Sequence, residues 1–373
     1  MSKTCYCLRP LIVLAVALSA ASASAQQRLR YATPIAADGG AASGAQFSGT
    51  IDASRFDPYA DPAQAQYPVA VQPGIAPAPG ALPTDFGQIP ATSWPTVGGT
   101  VNNGLRFLQT AGFEYTWIVS NDDLGINEIK AWTTFAIPSF FYNNAPLLIS
   151  PGFNLYLWDG PSASGADLPG QTYSSYIDVG WRPQVTPWLR ADLGVRVGVF
   201  TDFETLNNDS VRFLGRGFGV FDLGPNLEAR LGVLYLDRLD TKLLPAGGLV
   251  WTPNPDARYE ILFPNPRLAH RWFTTDRANW WGYVAAEYGG DTWTIRRSIA
   301  GTPDDQFDYR DIRVMIGLER VSTVGSGTAA HGCGPRAYVE VGYVFDREIQ
   351  YRSFAPLRTK YEDTFMVRGG FRF

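Results

Sequence analysis

Cysteine, histidine and lysine are nearly missing from this chain, and each shortage removes a class of protein. Three cysteines occur among 373 residues, at Cys5, Cys7 and Cys333. The first two precede a short apolar run, whereas a lipoprotein cysteine would follow it, so lipidation is not expected. If that leader is removed, only Cys333 remains, and a lone cysteine closes no intramolecular disulfide in a compartment where pairs are usual. The histidines are His270 and His331. Cys333 lies two residues after His331, but two ligands do not make a metal site, so no metal or cofactor is expected. No nucleophile elbow or phosphate loop is present, and the expectation is not an enzyme; a rim site built on His270 and Asp276 is the enzyme alternative. Lysine occurs four times, fewer than a soluble surface carries. No apolar run is long enough for a transmembrane helix, and mean hydropathy is −0.10.

Positive charge is not in excess either. Without residues 1–25, which hold Lys3 and Arg9, the balance is 29 basic against 35 acidic residues, a poor match for nucleic acid. Those 25 residues read as a cleaved signal peptide: Lys3 and Arg9 before an apolar core, Leu11 to Leu18, then Ala23-Ser24-Ala25. Residues 26–105 are rich in Pro, Ala and Gly, as in the run from Tyr67 to Gly80. Repeated prolines favour polyproline II, and the apolar surface is too small to order the segment, so a disordered periplasmic linker is expected. The domain proper is expected over 106–373.

What the chain does have is aromatic residues, at 14%, and a period of two from about residue 112 onward. Leu189, Ala191, Leu193, Val195, Val197 and Val199 alternate with Arg190, Asp192, Gly194, Arg196 and Gly198. Successive strand side chains point to opposite faces, so this is an apolar wall backed by a charged one. The same pattern sets Ile129 and Ala131 against Glu128 and Lys130, Ile177 and Val179 against Asp178 and Arg182, and Ala229 and Leu231 against Glu228 and Arg230. Farther on, Val314 and Ile316 oppose Arg313 and Glu319, and Val339 and Val341 oppose Glu340. About fourteen segments obey the rule (12–16 as bounds), beginning near 112, 126, 147, 171, 188, 210, 226, 246, 257, 279, 291, 309, 335 and 363.

The connections alternate in length. With both termini on one side, the turns expected there are 138–146, 183–187, 223–225, 252–256 and Gly289-Gly290, mostly tight. Long loops are expected opposite, at 159–170, 237–247, 265–279, 301–309 and 346–363. Short inner turns and long outer loops are the habit of outer-membrane barrels. Even parity closes a sheet without an edge. Trp158, Trp181, Trp188, Trp251, Trp280 and Tyr343 sit at segment ends, where interfacial girdles need amphipathic rings. No segment puts a charge mid-way along its apolar face; Arg297 lies near an end, within reach of headgroups.

The chain stops at Phe373, with Phe371, Val367 and Phe365 at alternating positions before it and Gly369 where a larger apolar residue is usual. This resembles the terminal insertion signal of bacterial outer-membrane β-barrel proteins. The resemblance implies recognition of the last strand by the barrel-assembly machinery. The last third is also similar to uncharacterised bacterial barrels through Trp251-Thr252-Pro253-Asn254 and Phe263-Pro264-Asn265-Pro266, a likeness that names no activity. The fold expected is therefore all-β: an antiparallel transmembrane β-barrel of about fourteen strands behind a signal peptide and a disordered arm, located in the outer membrane. Its partners are membrane lipids and the assembly machinery, with self-association left open.

Residues expected to line the lumen are Glu128, Lys130, Asp178, Arg182, Arg190, Asp192, Arg196, Glu228, Arg230, Arg313, Glu319, Glu340, Arg368 and Arg372. Their mixed signs suit a porin-like channel for small hydrophilic solutes. They also suit a lumen filled by Arg–carboxylate pairs, although fourteen strands give a bore wider than side chains easily fill. Two other functions stay open. One is a non-conducting structural or ligand-binding barrel acting through loops 265–279 and 346–363, the first of which carries Arg267, Arg271 and Arg277. The other is a hydrophobic-ligand transporter, which would need an N-terminal plug that the polar, Pro-rich arm does not resemble.

Overall fold

The computed structural model describes residues 107–138, 140–142, 145–161, 168–298, 301, 303–323, 335–353 and 358–373. The signal peptide, the Pro-rich arm, His331 and Cys333 lie outside the described residues. The strands are β1 (Leu108–Asn121), β2 (Leu124–Ile137), β3 (Leu147–Asp159), β4 (Gln171–Trp181), β5 (Gln184–Thr186), β6 (Leu189–Thr201), β7 (Val211–Gly224), β8 (Leu227–Tyr235) and β9 (Leu243–Asn254). They continue as β10 (Ala257–Phe263), β11 (Arg267–Thr275), β12 (Ala278–Gly289), β13 (Thr292–Arg296), β14 (Asp304–Ser322), β15 (Arg336–Tyr351), β16 (Arg358–Tyr361) and β17 (Thr364–Arg372).

Fourteen of these form the wall, each antiparallel to the next, and β17 pairs with β1 to close the ring. Three are accessory: β5 lies along β6, β16 along β15, and β13 prolongs β12. Closure satisfies every wall strand on both sides, which an open sheet cannot do. Both ends of the barrel segment, Leu108 and Arg372, emerge at one rim. At that rim β7–β8, β9–β10 and β11–β12 are joined through two residues each. Across the barrel, Asp122 and Asp123 join β1 to β2 with φ of 49° and 62°, the doubly left-handed turn that matches the twist of a hairpin.

The strand number agrees with the sequence reading, but two compensating differences lie beneath it. Gly289-Gly290 is a bend and not a turn. Gly289 pairs with Asp311 and Thr292 with Asp308, so one hairpin continues through the glycines in unchanged register. Gly290 has φ of +86°, and a side chain there would collide with the Tyr309 carbonyl. The missing wall strand is β11, where a long outer loop was expected over 265–279. Arg267, Ala269 and Arg271 face inward while Leu268, His270 and Trp272 face outward. Prolines before the strand and a histidine on its outer face hide that alternation. The loops expected at 301–309 and 346–363 also shrink, because β14 starts at Asp304, β15 runs to Tyr351 and β16 occupies 358–361.

The two faces of the wall differ in kind. Leu193, Val195, Leu231, Ile316, Val341 and Phe365 are among forty large apolar residues exposed on the described surface, many of them at 40–65%. A contiguous apolar belt of this size is not carried by a water-soluble surface, and the architecture is that of an outer-membrane β-barrel. Aromatic pairs flank the belt. Trp188 with Phe221, Trp251 with Tyr259 and Phe273 with Trp280 mark the rim that carries the termini. Tyr173 with Phe203 and Tyr343 with Phe365 mark the opposite one. Trp158 departs from its expected place in a girdle: it points inward and is 7% exposed. On β17, Phe365, Val367 and Phe371 face outward and Arg368 and Arg372 inward, with Phe373 exposed at the end.

Candidate functional site

Among the described residues the inward face concentrates the ionisable side chains, because alternation turns the charged positions of many strands toward it. Three regions result: two networks on facing walls and a covered mouth.

Midway, a cluster of ion pairs ties together strands from β12 round to β2. Arg313 on β14 meets Glu128 on β2 at 2.6 Å, Asp311 at 2.9 Å and Glu287 on β12 at 3.3 Å. Arg368 on β17 meets Glu340 at 3.2 Å, Glu114 at 3.6 Å and also Glu287, and its Nε donates to the Thr116 hydroxyl at 2.9 Å. Lys130 lies 3.3 Å from Glu128 and 3.5 Å from Glu114. These side chains are buried. Five carboxylates thus face three cations, and two phenols help: Tyr283 donates to Glu340 at 2.8 Å and Tyr338 donates to Glu114. Toward the terminal rim, Glu319 takes Arg267 at 2.8 Å, with Arg372 and Arg336 at 3.6 and 3.7 Å. Removing one partner from such a cluster strands a buried charge, which costs more than the pair contributes.

On the opposite wall a second network is buried at its centre and wetter toward the terminal rim. Asp178 faces Arg196 at 3.4 Å and Arg216 at 3.5 Å; Asp192 takes Arg182 at 2.9 Å and Arg216 at 3.2 Å. Nearer the terminal rim, Arg190 bridges Asp222 and Glu228, Arg230 reaches Glu228 at 2.6 Å, and Arg258 reaches Glu260 at 2.7 Å. The Arg190 and Asp222 side chains are 34% and 38% exposed, so water enters the lumen from this rim.

The far mouth is covered. Beyond the Gly290 bend, β13 leaves the wall, crosses the lumen and meets β6, where Thr294 pairs with Thr201 in parallel. The Asp202 amide donates to the Thr294 carbonyl at 3.3 Å, and Asp202 Oδ2 accepts the Arg296 amide at 2.8 Å. Trp293 seals the joint. Its Nε1 donates to Ser174 on β4 at 3.1 Å, and its ring packs on Tyr156, Trp158 and Phe307 at centroid distances of 4.8, 5.6 and 5.2 Å. Ile295, Phe200, Tyr309, Ile349 and Tyr351 complete an apolar core inside the mouth. Arg297, expected near headgroups, is instead fully buried here, 3.2 Å from Asp305 and stacked over Tyr351 at 3.9 Å. The hairpin has no lipid beside it once it turns inward.

A second strap crosses the same mouth. Asp240, in the connection after β8, binds the Gln350 amide at 2.9 Å and Arg358. That amide and the guanidinium beside it hold the Asp240 carboxyl below the usual range. Arg358 and Arg310 each meet Glu348 at 2.9 Å. Burial, with Asp122 and Asp123 nearby, pushes the Tyr361 phenol up to about 12, so it stays neutral.

The fourteen residues expected to line the lumen are drawn into ion pairs, grouped around Arg313 and Arg368 on one wall and around Asp178, Asp192 and Glu228 on the other. Glu114, Glu287, Asp311, Arg216 and Arg267 belong with them. Glu114 was within reach of the sequence, since Gly112, Glu114 and Thr116 alternate with Phe113, Tyr115 and Trp117. Arg216 was obscured because it shares its face with Leu214 and Phe218, an apolar inward patch. The crossing of β13 to β6 left no local sequence mark. Among the described residues no three His, Cys, Asp or Glu side chains form a metal-binding group.

No protein-family model and no curated protein matches the chain. Among solved structures it is similar to a bacterial polysaccharide outer membrane secretin, at 11% identity and a TM-score of 0.36 over 72% of this chain and 99% of that one. An outer membrane channel from Pseudomonas putida F1 gives 12% and 0.34 over 72% and 96%. The β domain of the Bordetella autotransporter BrkA gives 10% and 0.30 over 71% and 97%.

Proposed function

We propose that this chain resides in the outer membrane as a gated channel for small polar solutes, closed in this conformation by its own hairpin over residues 291–308. The observation that carries the reading is the joint between β13 and β6. The accessory strand β13, which prolongs β12, turns in from the wall, crosses the lumen and pairs with a strand on the far side. The wet, mixed-charge vestibule at the terminal rim suits entry of polar solutes from the periplasmic side. We also read the outward residues of β17 as the contact for the assembly machinery, and the protein as non-enzymatic, with His270 facing lipid beside Leu268 and Trp272.

The test is a reversible lock. Cross-strand partners such as Thr201 and Thr294 lie at the Cα separation of roughly 4.4–6.8 Å that disulfides span. On a Cys333→Ser background, Thr201→Cys with Thr294→Cys should abolish conductance steps in planar bilayers, and reduction should restore them. Equal conductance in the oxidised and reduced forms would sink the reading.

The buried cluster around Arg313 and Arg368 favours a second reading, a barrel that conducts nothing and serves as a rigid scaffold. If deletion of residues 292–303 leaves a folded, heat-modifiable barrel that is still sealed, this second reading replaces the first.

A further inference from the structure

The wall is not of even height. β10 and β11 pair over four residues only, from Ala257 with His270 to Glu260 with Arg267, and their connection turns over at Pro264-Asn265-Pro266. β9 begins its pairing with β10 at Gly247, so Leu243–Ala246 rise above the short hairpin on one side. On the other side β12 continues past Ala286, whose amide donates to the Pro266 carbonyl at 3.0 Å, toward Gly289. Four residues of strand make a gap roughly 13 Å deep.

This gap lies at the level of lipid and not above it. Leu243 pairs with Tyr235, an exposed aromatic residue near the outer limit of the apolar belt, and Phe263 at the foot of the gap is 60% exposed. What stands behind it is apolar. Leu214, Leu234, Leu236 and Ala246 belong to one buried cluster, with Phe218 and Leu244 packed against it. The charges beside it are paired: Arg238 lies 4.0 Å from Asp308 and the buried Arg212 3.5 Å from Asp237. Two side chains bridge to the β12 edge: Asn265 accepts the Tyr288 amide at 3.4 Å, and Arg238, from the connection after β8, donates to the Gly289 and Gly290 carbonyls and stacks over Tyr288 at 4.5 Å.

We propose that the gap between β9 and β12 is a lateral site for one long apolar chain taken from the surrounding lipid, with Arg238 and Tyr288 as its latch. The occupant is set by the two surfaces the gap joins: a lipid-facing wall outside and an apolar pocket wall inside. A polar solute would lose its hydration on both sides and find the nearby charges already paired with one another. An alkyl chain leaving the bilayer for this cleft exchanges one apolar surrounding for another and gains close packing. The inner wall of the site is continuous with the apolar core under the hairpin, and Arg238 also meets Asp308 of that hairpin, so the site is formed while the mouth is closed.

The experiment titrates the full chain in detergent with parinaric acid, a fluorescent long-chain fatty acid, and reads energy transfer from tryptophan. Saturable transfer is expected, weakened about tenfold by Leu244→Trp, which fills the cleft from its inner side. Leu231→Trp on the outer wall is the control for added bulk and should bind as the parent does. Arg238→Ala should speed both association and release. Binding should survive the oxidised Thr201→Cys, Thr294→Cys lock, which separates this site from the axial gate. A titration that never saturates beyond micelle partition overturns the proposal. So does unchanged binding in a heat-modifiable Leu244→Trp protein, or loss of binding on locking the mouth.

Discussion

Replacing Trp293 with alanine isolates the force that keeps the mouth closed. The side chain is fully buried, touches three aromatic rings and donates one hydrogen bond to Ser174. An aromatic of this size buries about 150–250 Å², and at roughly 25 cal/mol per Å² that is worth about 4–6 kcal/mol. Large-to-small changes in packed cores cost about 3–5 kcal/mol. The contacts with Tyr156, Trp158 and Ser174 exist only while the hairpin lies across the lumen, whereas Phe307 faces Trp293 within the hairpin, so most of the loss falls on the closed state. Taking about 3 kcal/mol after relaxation and a tenfold change per ~1.4 kcal/mol, the open-to-closed ratio should rise on the order of a hundredfold. Ser174→Ala removes only the hydrogen bond, worth about 1 kcal/mol, and should raise the same ratio roughly fivefold. The assay is open probability of single channels in planar bilayers, with heat modifiability on a gel as the check that the barrel is intact. An intact Trp293→Ala barrel with parental open probability would refute the reasoning, because the aromatic core would then not hold the gate.

Three further outcomes are expected from the same geometry. Gly290→Val places a β-branched residue at φ of +86° against the Tyr309 carbonyl; the bend should fail at a cost above about 1 kcal/mol, and open probability should rise in the direction of Trp293→Ala. Arg313→Met removes the cation from three buried carboxylates and should cost about 3–5 kcal/mol, read as a lower temperature for the gel-mobility transition; adding Glu128→Leu should recover part of it, and a transition that does not move argues against the cluster's burial. Asp240 sets a pH dependence. Its carboxyl is depressed by the Gln350 hydrogen bond and by Arg358, so the second strap is at full strength above the ordinary aspartate value of 3.8 and weakens as pH falls through the lowered one. Open probability should therefore be flat from about pH 8 to about pH 5 and climb only below about pH 4. Asp240→Asn should show the acid level at neutral pH and lose the dependence.

The wall was legible because a strand in a membrane barrel obeys one rule over its whole length. Leu193, Val195 and Val197 must meet lipid and Arg196 must not, and no neighbour relaxes either demand. Wherever a segment left that regime, the sequence misled. Gly289-Gly290 has the composition of a turn, but whether two glycines turn a chain or bend a hairpin depends on the partners that the next residues find. Thr292 to Arg296 found partners on both Asp304–Asp308 and β6, a contact between segments nearly a hundred residues apart. Likewise β11 looked like a loop because His270 and the prolines around residue 265 break the alternating pattern, although the backbone pairs with β12 throughout. Trp158 could sit in a girdle or in a core, and its place at a strand end did not distinguish them. Its even number in β3, shared with Ser150, Asn154 and Tyr156, did.

A fourteen-strand bore exceeds what short side chains can close, and the expectation of an open lumen rested on that. This chain fills it with its longest ones: Arg313, Arg368 and Arg347 are fully buried, as are Trp293, Tyr156 and Tyr309. Guanidinium groups extended from opposite strands meet shared carboxylates where a smaller pair would leave a hole. Even so, side chains do not suffice at the mouth, and the accessory strand β13 crosses it. The filling is therefore of two physical kinds. The ion-pair cluster is held by charges that cannot be separated without stranding one of them in a buried place, which makes it slow to open and sensitive to removal of any member. The hairpin is held by apolar contact, one bridge to β6 and its pairing with β15 at Phe307 and Asp308. The Arg297–Asp305 pair can travel with it, and among the described residues only Asp308 would part from a cation, Arg238 at 4.0 Å. Motion is cheapest at the hairpin, and it is there, and not at the charged cluster, that a path through this barrel would begin.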